Sequence, residues 1–219
     1  YDTILNEYRI MVHVLLILFT ITLLYLSIAS RLLTYLKILA FQGVLLFGLA
    51  FIELREVSTL NLVFILLETI IFKALAVPIF INYIIRRNHI TRESEPFLPN
   101  FVSLIVVTGI ILTAIMMSHS VQDELLEKST FIVALSTVFT GMYIIATRKK
   151  VITHVMGYMV LENGVFILSL AVGNEMPMLL NLGIMLDIFA SVFILGIFVN
   201  KIGDVLKGVD VDQLKNLKD

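Results

Sequence analysis

Seven long stretches of apolar residues, separated by short polar segments, dominate the pattern of this chain. They cover residues 10–29, 33–53, 59–85, 98–118, 130–147, 152–172 and 178–201. An α-helix that crosses the hydrocarbon layer of a bilayer needs about 20 such residues. The stretches are continuous, whereas the strands of a membrane β-barrel alternate between apolar and polar positions. The pattern therefore predicts an all-α, polytopic membrane protein with seven transmembrane helices.

The composition changes this picture only by excluding other classes of protein. Of the 219 residues, 59% are hydrophobic and 15% are charged, whereas a soluble domain has about 45–50% apolar and about 25% charged residues. The net charge of −1 offers no basic surface to nucleic acid. The chain has no cysteine and cannot supply thiolates to an iron–sulfur cluster or a nickel centre. We expect no catalytic residue, metal site or cofactor in this chain.

The distribution of lysine and arginine predicts the direction of the spans. One side of the membrane collects most of these residues: Arg31, Lys37, Arg86, Arg87, Arg92, Arg148, Lys149, Lys150, Lys201, Lys207, Lys215 and Lys218. The opposite side holds Arg9, Arg55 and Lys128. Cytoplasmic loops carry an excess of these residues. We therefore expect a multi-pass protein of the cell membrane with its N-terminus outside and its C-terminus in the cytoplasm.

A weak internal repeat suggests how the spans are grouped. The sequence AFQGV at 40–44 resembles LENGV at 161–165, and the dipeptide at 67–68 resembles that at 186–187. Matching spans lie four apart, so two three-helix units would cross the membrane in the same direction as a parallel repeat; chance similarity between apolar helices is the alternative. The predicted organisation is a first unit at 1–97, a linker helix and external loop at 98–129, a second unit at 130–203 and a cytoplasmic tail at 204–219.

Four ionisable residues lie near the middle of predicted spans, where a bilayer disfavours them. Glu162 and Lys73 lie at or within one residue of the span centres, whereas Asp187 and Glu68 lie slightly further outward. One ionised side chain at this depth costs about 2.5–3.5 kcal/mol. We therefore expect these groups to face one another, water or a partner subunit and to carry protons. The alternative is that they form buried ion pairs that only fix helix packing.

Three further residues complete the candidate site. Gln42 and Asn163 are polar amides that extend a hydrogen-bonded relay or, alternatively, hold helices together. Pro78 interrupts the third span and, in an α-helix, removes the hydrogen bond to the carbonyl of Ala74.

Residues 68 and 73 are five apart, roughly 140° around an α-helix. This separation predicts that Glu68 and Lys73 do not pair on their own span.

The chain resembles a known family over essentially its whole length, with the specific motifs in its last third. The sequences GYMVLENG at 157–164, GIMLDIFA at 183–190 and GVDVDQLKNLK at 208–218 look like component E of hydrogenase-4 and formate hydrogenlyase-type complexes. The last three spans are in turn similar to the small three-helix subunit of complex I and of multisubunit cation/proton antiporters. That subunit carries acids in two consecutive helices, which here hold Glu162 and Asp187. The chain departs from it by having Met159 where the complex I subunit usually has its first acid.

The resemblance implies an accessory membrane subunit of an oxidoreductase complex related to complex I, such as a membrane-bound hydrogenase. Its partners would be lipid, antiporter-like and complex I-like membrane subunits, and a peripheral redox arm that holds the nickel–iron centre and iron–sulfur clusters. Electron transfer in that arm would drive proton or sodium translocation, to which Glu162, Asp187, Glu68 and Lys73 would contribute. The alternatives are a subunit of a multisubunit cation/proton antiporter, a structural membrane scaffold and a self-sufficient transporter.

Overall fold

The described part of the chain consists of long helices. The computed structural model describes residues 2–54, 59–87, 97–121, 126–149, 151–172 and 183. The α-helices are α1 (Asp2–Ile28), α2 (Leu32–Glu53), α3 (Thr59–Leu67), α4 (Val77–Arg87), α5 (Asn100–Ser120), α6 (Lys128–Thr147) and α7 (Val151–Val172). A π-helical segment, Glu68–Ala76, joins α3 to α4 without a break. The predicted all-α class is therefore confirmed for these ranges.

Within the residues that the structure describes, six helical stretches are long and apolar enough to cross a membrane. They are Glu7–Ile28, Leu32–Glu53, Ile65–Tyr83, Asn100–Ser120, Lys128–Thr147 and Ile152–Val172. Each lies at the position of one of the first six predicted spans. Each is also about as long as a helix must be to cross a bilayer. The seventh predicted span, 178–201, lies outside the described residues except for Gly183, as does the tail at 204–219. The seven-helix count thus stays a prediction, whereas the architecture is that of a multi-pass membrane protein.

The bundle places apolar side chains outside and several polar side chains inside. Phe101 and Met116 on α5 are 72% and 71% exposed, whereas Gln42 is fully buried and Lys73 and Glu162 are each 5% exposed. A soluble protein rarely exposes so continuous an apolar surface. In a bilayer, lipid tails cover such a surface. Polar side chains that lie inside the bundle avoid the free-energy cost of facing lipid. The distribution of side chains therefore agrees with the apolar composition of the spans.

Glycines let the helices approach closely. Helices α6 and α7 pack so tightly that a methyl group added at Gly141 would lie 2.8 Å from the carbonyl oxygen of Gly157. A methyl group added at Gly164 would lie 2.6 Å from the backbone nitrogen of Val138. Helix α2 contacts α1, α7 and the π-helical segment. Because small residues allow backbones to meet in the membrane, these contacts bring α7 and the third span to the same central helix.

Contacts at the two ends of the bundle agree with the predicted alternation of the spans. At one end the backbone N–H of Phe97 donates to the carbonyl of Thr147 at 2.9 Å. At the other end the hydroxyl oxygen of Ser129 lies 3.3 Å from Nε2 of His13. In each contact, the two residues lie at span ends that the predicted topology assigns to the same side of the membrane. Which end faces the cytoplasm, and whether the two units are a repeat, stay predictions.

Arg148 is buried at one end of the bundle, although the sequence analysis places it between spans, among the basic residues of one side of the membrane. Its side chain is only 1% exposed. The guanidinium donates to the carbonyl of Ser27 at 3.1 Å and lies 5.6 Å from the centre of the Tyr35 ring. The Ser27 carbonyl belongs to the last turn of α1, where helix dipoles leave partial negative charge. Arg148 thus ties the end of α6 to the junction of α1 and α2.

Replacing Arg148 by lysine is expected to lower the free energy of unfolding by about 1 kcal/mol, the typical net contribution of one hydrogen bond. Lysine keeps the charge but lacks the flat, forked guanidinium that reaches the carbonyl while lying against the ring. Unfolding of the full chain by SDS in mixed micelles, followed by circular dichroism, measures the change. The same substitution at Arg31, which is exposed at this end, should alter stability by less than about 0.5 kcal/mol. Equal effects at both positions would contradict the role of burial.

Candidate functional site

The candidate site is centred on Lys73, whose side chain is buried where α2, α7 and the third span meet. Its Nζ donates a hydrogen bond to Oδ1 of Asn163 on α7 at 3.2 Å. The same nitrogen lies 5.0 Å from the centre of the Phe166 ring, a distance at which a cation is attracted to the aromatic face. Lys73 is therefore anchored to a helix that lies far from it in the sequence.

The hydrogen bonds continue from Asn163 across two more helices. The Nδ2 of Asn163 donates to Oε1 of Gln42 on α2 at 3.1 Å. The Nε2 of Gln42 donates to the hydroxyl oxygen of Thr22 on α1 at 2.9 Å. The Thr22 hydroxyl in turn donates to the carbonyl of Phe19 at 2.6 Å. Four side chains from four helical segments thus form one chain of bonds, which we call the amide chain: Lys73, Asn163, Gln42 and Thr22.

The donor-to-acceptor direction of the amide chain is fixed by its two ends. A lysine ammonium group has only donors, so Asn163 must turn its oxygen towards Lys73 and its nitrogen towards Gln42. The carbonyl of Phe19 only accepts, so the hydroxyl of Thr22 is used as a donor there and offers its lone pairs to Gln42. Each amide therefore has one orientation that satisfies both neighbours. All bonds run in the same sense, from the lysine towards α1.

The π-helical segment changes the relation between Glu68 and Lys73. The separation of roughly 140° assumed α-helical geometry, but both residues lie within Glu68–Ala76. In a π-helix the hydrogen bonds run between residues five apart, so residues 68 and 73 follow one another by about one turn. The α-helical separation therefore does not apply here, and whether Glu68 and Lys73 pair stays a prediction. The side chain of Glu68 lies outside the described part of the structure.

Pro78 lies beyond the π-helical segment. That segment ends at Ala76, two residues before the proline, and Pro78 is the second residue of α4. In an α-helix the missing N–H would have served the carbonyl of Ala74, as the sequence analysis predicts. The carbonyl that Pro78 leaves without a backbone donor stays a prediction.

Gly43 allows α2 to reach the π-helical segment. A methyl group added at Gly43 would lie 2.7 Å from the backbone nitrogen of Ala74 and 2.9 Å from the carbonyl carbon of Lys73. Real side chains essentially never come so close to backbone atoms, so only glycine fits here. Because Gln42 is the preceding residue, this contact holds the lysine-bearing backbone beside the amide chain.

The structure joins three of the predicted site residues by hydrogen bonds, whereas the side chains of Glu68 and Asp187 lie outside its described part. Lys73, Asn163 and Gln42 are joined by hydrogen bonds. Glu162 is also buried, at 5% exposure, and precedes Asn163 in α7. Asp187 lies outside the described residues. Sequence reasoning missed Thr22, because a hydroxyl in an apolar helix commonly bonds to its own backbone.

Comparison with known proteins gives one distant match. No family model matches the chain, and no solved structure matches it. A protein of Mycobacterium tuberculosis, described as Uncharacterized protein Rv0085, is similar to it at 25% identity over 132 residues. The match covers 58% of this chain and 59% of that relative. The grounds for a functional assignment are therefore the bundle and the buried polar site.

Proposed function

We propose that this chain is a non-catalytic membrane subunit of a complex I-like oxidoreductase, of the membrane-bound hydrogenase or formate hydrogenlyase type. In this proposal its buried ionisable residues take part in proton or sodium translocation coupled to electron transfer. The observation that carries the proposal is the burial of Lys73 and Glu162 inside a bundle of apolar helices. Ionisable residues are rare inside membrane-spanning helices, and where they occur they commonly mark the pathway of an ion or a substrate.

The energetics of burial support a functional role for this site. Each charged group at the bilayer centre costs about 2.5–3.5 kcal/mol, and two such groups are retained here. Lys73 also has a hydrogen bond to Asn163 and an aromatic contact with Phe166. A fixed positive charge can change how readily a nearby carboxyl group releases its proton. In our proposal Lys73 acts in this way on the acids of the site.

The chemistry assigned to each residue follows from its type. Glu162 and Asp187 would exchange protons through water with each other and with Glu68, while Lys73 adjusts their charge. The redox chemistry would belong to a peripheral arm, whose nickel–iron centre and iron–sulfur clusters are held by other subunits. The resemblance of residues 157–164 and 183–190 to the hydrogenase-4 component favours this kind of complex. A multisubunit cation/proton antiporter would use the same membrane chemistry without the redox arm.

A scaffold is the second candidate function, and one observation favours it. Gln42 and Asn163 hold neighbouring helices together through side-chain hydrogen bonds, as polar residues do in many membrane bundles that transport nothing. In a scaffold, Lys73 would serve only to complete this network. Substitutions in the site would then change assembly of the complex and leave the coupling of an assembled complex intact.

The experiment that tests the proposed complex is its purification. The full chain, carrying an affinity tag, is isolated from native membranes in mild detergent, and the co-purifying subunits are identified by mass spectrometry. We expect a nickel–iron large subunit together with antiporter-like membrane subunits. Antiporter subunits without a redox subunit would contradict the oxidoreductase and favour the antiporter. Isolation of the chain alone, in detergents that preserve other complexes, would contradict both.

A further inference from the structure

Thr22 on α1 occupies the far end of the amide chain from Lys73. Its hydroxyl accepts from Gln42 at 2.9 Å and donates to the carbonyl of Phe19 at 2.6 Å. The side chain is 6% exposed, and Gln42 beside it is fully buried. A buried amide that loses its acceptor is destabilised, because no water replaces the lost bond. Removal of the Thr22 hydroxyl is therefore expected to weaken each hydrogen bond between Thr22 and the lysine.

We propose that Thr22 is a positioning residue that fixes the amide orientations of Gln42 and Asn163 and thereby holds Lys73 in place. This inference rests on the proposed function only for the importance of Lys73 to ion movement. The hydroxyl supplies the acceptor that keeps the nitrogen of Gln42 turned towards α1. The oxygen of Gln42 then faces Asn163, whose own oxygen faces the lysine.

The alternative orientations are unfavourable because they oppose like groups or lose a hydrogen bond. If Gln42 turned over, its nitrogen would face the nitrogen of Asn163. Its oxygen would face the hydroxyl of Thr22, which could donate to it only by giving up its bond to the carbonyl of Phe19. If Asn163 also turned over, its NH₂ group would face the ammonium of Lys73, donor against donor. With the Thr22 hydroxyl in place, one arrangement satisfies every group. Without it, the energy difference that selects this arrangement becomes smaller.

The same geometry makes the amide chain an anchor for Lys73. The lysine meets the oxygen of Asn163, and the nitrogen of Asn163 meets Gln42. An amide that took up a proton at its oxygen and released one at its nitrogen would be left as the imidic acid. It would then have to tautomerise or turn over before it could pass on another proton, and turning over would place donor against donor at the lysine. Gln42 and Asn163 therefore position the lysine in this arrangement, and a relay of protons through them stays a prediction.

The test measures the contact between Lys73 and Asn163 directly. The full chain is labelled with ¹⁵N at lysine Nζ and with ¹³C at the asparagine side-chain carbonyl, reconstituted in lipid and studied by solid-state NMR. The dipolar contact is assigned by its loss in Lys73→Met. We expect Thr22→Val to reduce its intensity at least twofold, and Thr22→Ser, which keeps the hydroxyl, to preserve it.

A matched control lies two residues away on the same helix. The hydroxyl of Thr20 donates to the carbonyl of Leu16 within α1 at 2.9 Å, so Thr20→Val is expected to leave the contact unchanged. Thr22→Ala provides a second hydroxyl-free variant should the valine variant fail to fold. An unchanged contact in a folded variant without the Thr22 hydroxyl would overturn the inference. Loss of the contact in Thr22→Ser would overturn it as well.

Ion movement by the assembled complex separates this inference from the proposed function. If both hold, Thr22→Val lowers coupled ion movement several-fold, and Thr22→Ser restores it. If Lys73→Met leaves ion movement unchanged, the role proposed for this site in translocation fails, while the NMR contact still decides whether Thr22 positions the lysine. If the contact is lost in Thr22→Val but ion movement persists, Thr22 positions a lysine that does not participate in translocation.

Discussion

Replacing Glu162 by glutamine is expected to reduce ion movement by the assembled complex to background, while the complex still forms. Glu162 is 5% exposed in the middle of α7 and directly precedes Asn163, which binds Lys73. Glutamine has nearly the same size and keeps an oxygen that accepts hydrogen bonds, but it does not ionise. Packing is therefore largely preserved, whereas any step in which residue 162 takes up or releases a proton is stopped.

The measurement is redox-driven ion uptake by inverted membrane vesicles, with the rate of electron transfer followed in parallel. The control is the same substitution at Glu127, an exposed residue that immediately precedes α6. Glu127→Gln is expected to retain full ion uptake. Full uptake in Glu162→Gln would refute the role of this carboxyl group. Loss of assembly in Glu162→Gln, with normal coupling in whatever complex remains, would instead favour the scaffold.

Replacing Gly43 by alanine is expected to lower the free energy of unfolding by about 1–3 kcal/mol, the range observed when a methyl group is forced into a packed core. The new methyl group would lie 2.7 Å from the backbone nitrogen of Ala74 and 2.8 Å from its Cα atom. Backbone atoms cannot rotate away as a flexible side chain can. Helix α2 and the π-helical segment must therefore separate, which also weakens the contact between Lys73 and Asn163.

Gly109 on α5 provides the matched control for Gly43. A methyl group added there meets no atom within 4 Å, and alanine is favoured over glycine inside a helix by up to about 1 kcal/mol. Gly109→Ala should therefore be neutral or slightly stabilising in SDS unfolding of the full chain. An equal loss of stability at the two positions would show that the close approach of α2 to the π-helical segment contributes little.

The spans were predictable from the sequence because the bilayer imposes both a length and an apolar composition. The third span illustrates this, since residues 59–85 were predicted and the structure has helix from Thr59 to Arg87. The same apolar pattern does not distinguish α from π geometry. It could not reveal that the backbone widens between Glu68 and Ala76, because both geometries satisfy the backbone within the segment.

The partners within the candidate site were less predictable, because they depend on how helices pack. Lys73, Gln42 and Asn163 stood out as polar residues in apolar spans, but their mutual contacts require helices that lie far apart in the sequence. Thr20 and Thr22 look alike in the sequence, yet only the Thr22 hydroxyl bonds to Gln42, whereas that of Thr20 bonds within its own helix. The burial of Arg148, which lies between two predicted spans, could not be predicted from the hydropathy of the chain.

The path of the amide chain through the bundle has an electrical consequence. Lys73, Gln42 and Asn163 each lie within about one residue of the midpoints of their spans, so these three residues lie at nearly the same depth; Thr22 lies between four and five residues from the midpoint of its span. A transmembrane voltage does work only on charge displaced along the membrane normal. A hydrogen bond between groups at the same depth runs across that field. Energising the membrane would therefore do little work on the bonds that join Lys73, Asn163 and Gln42.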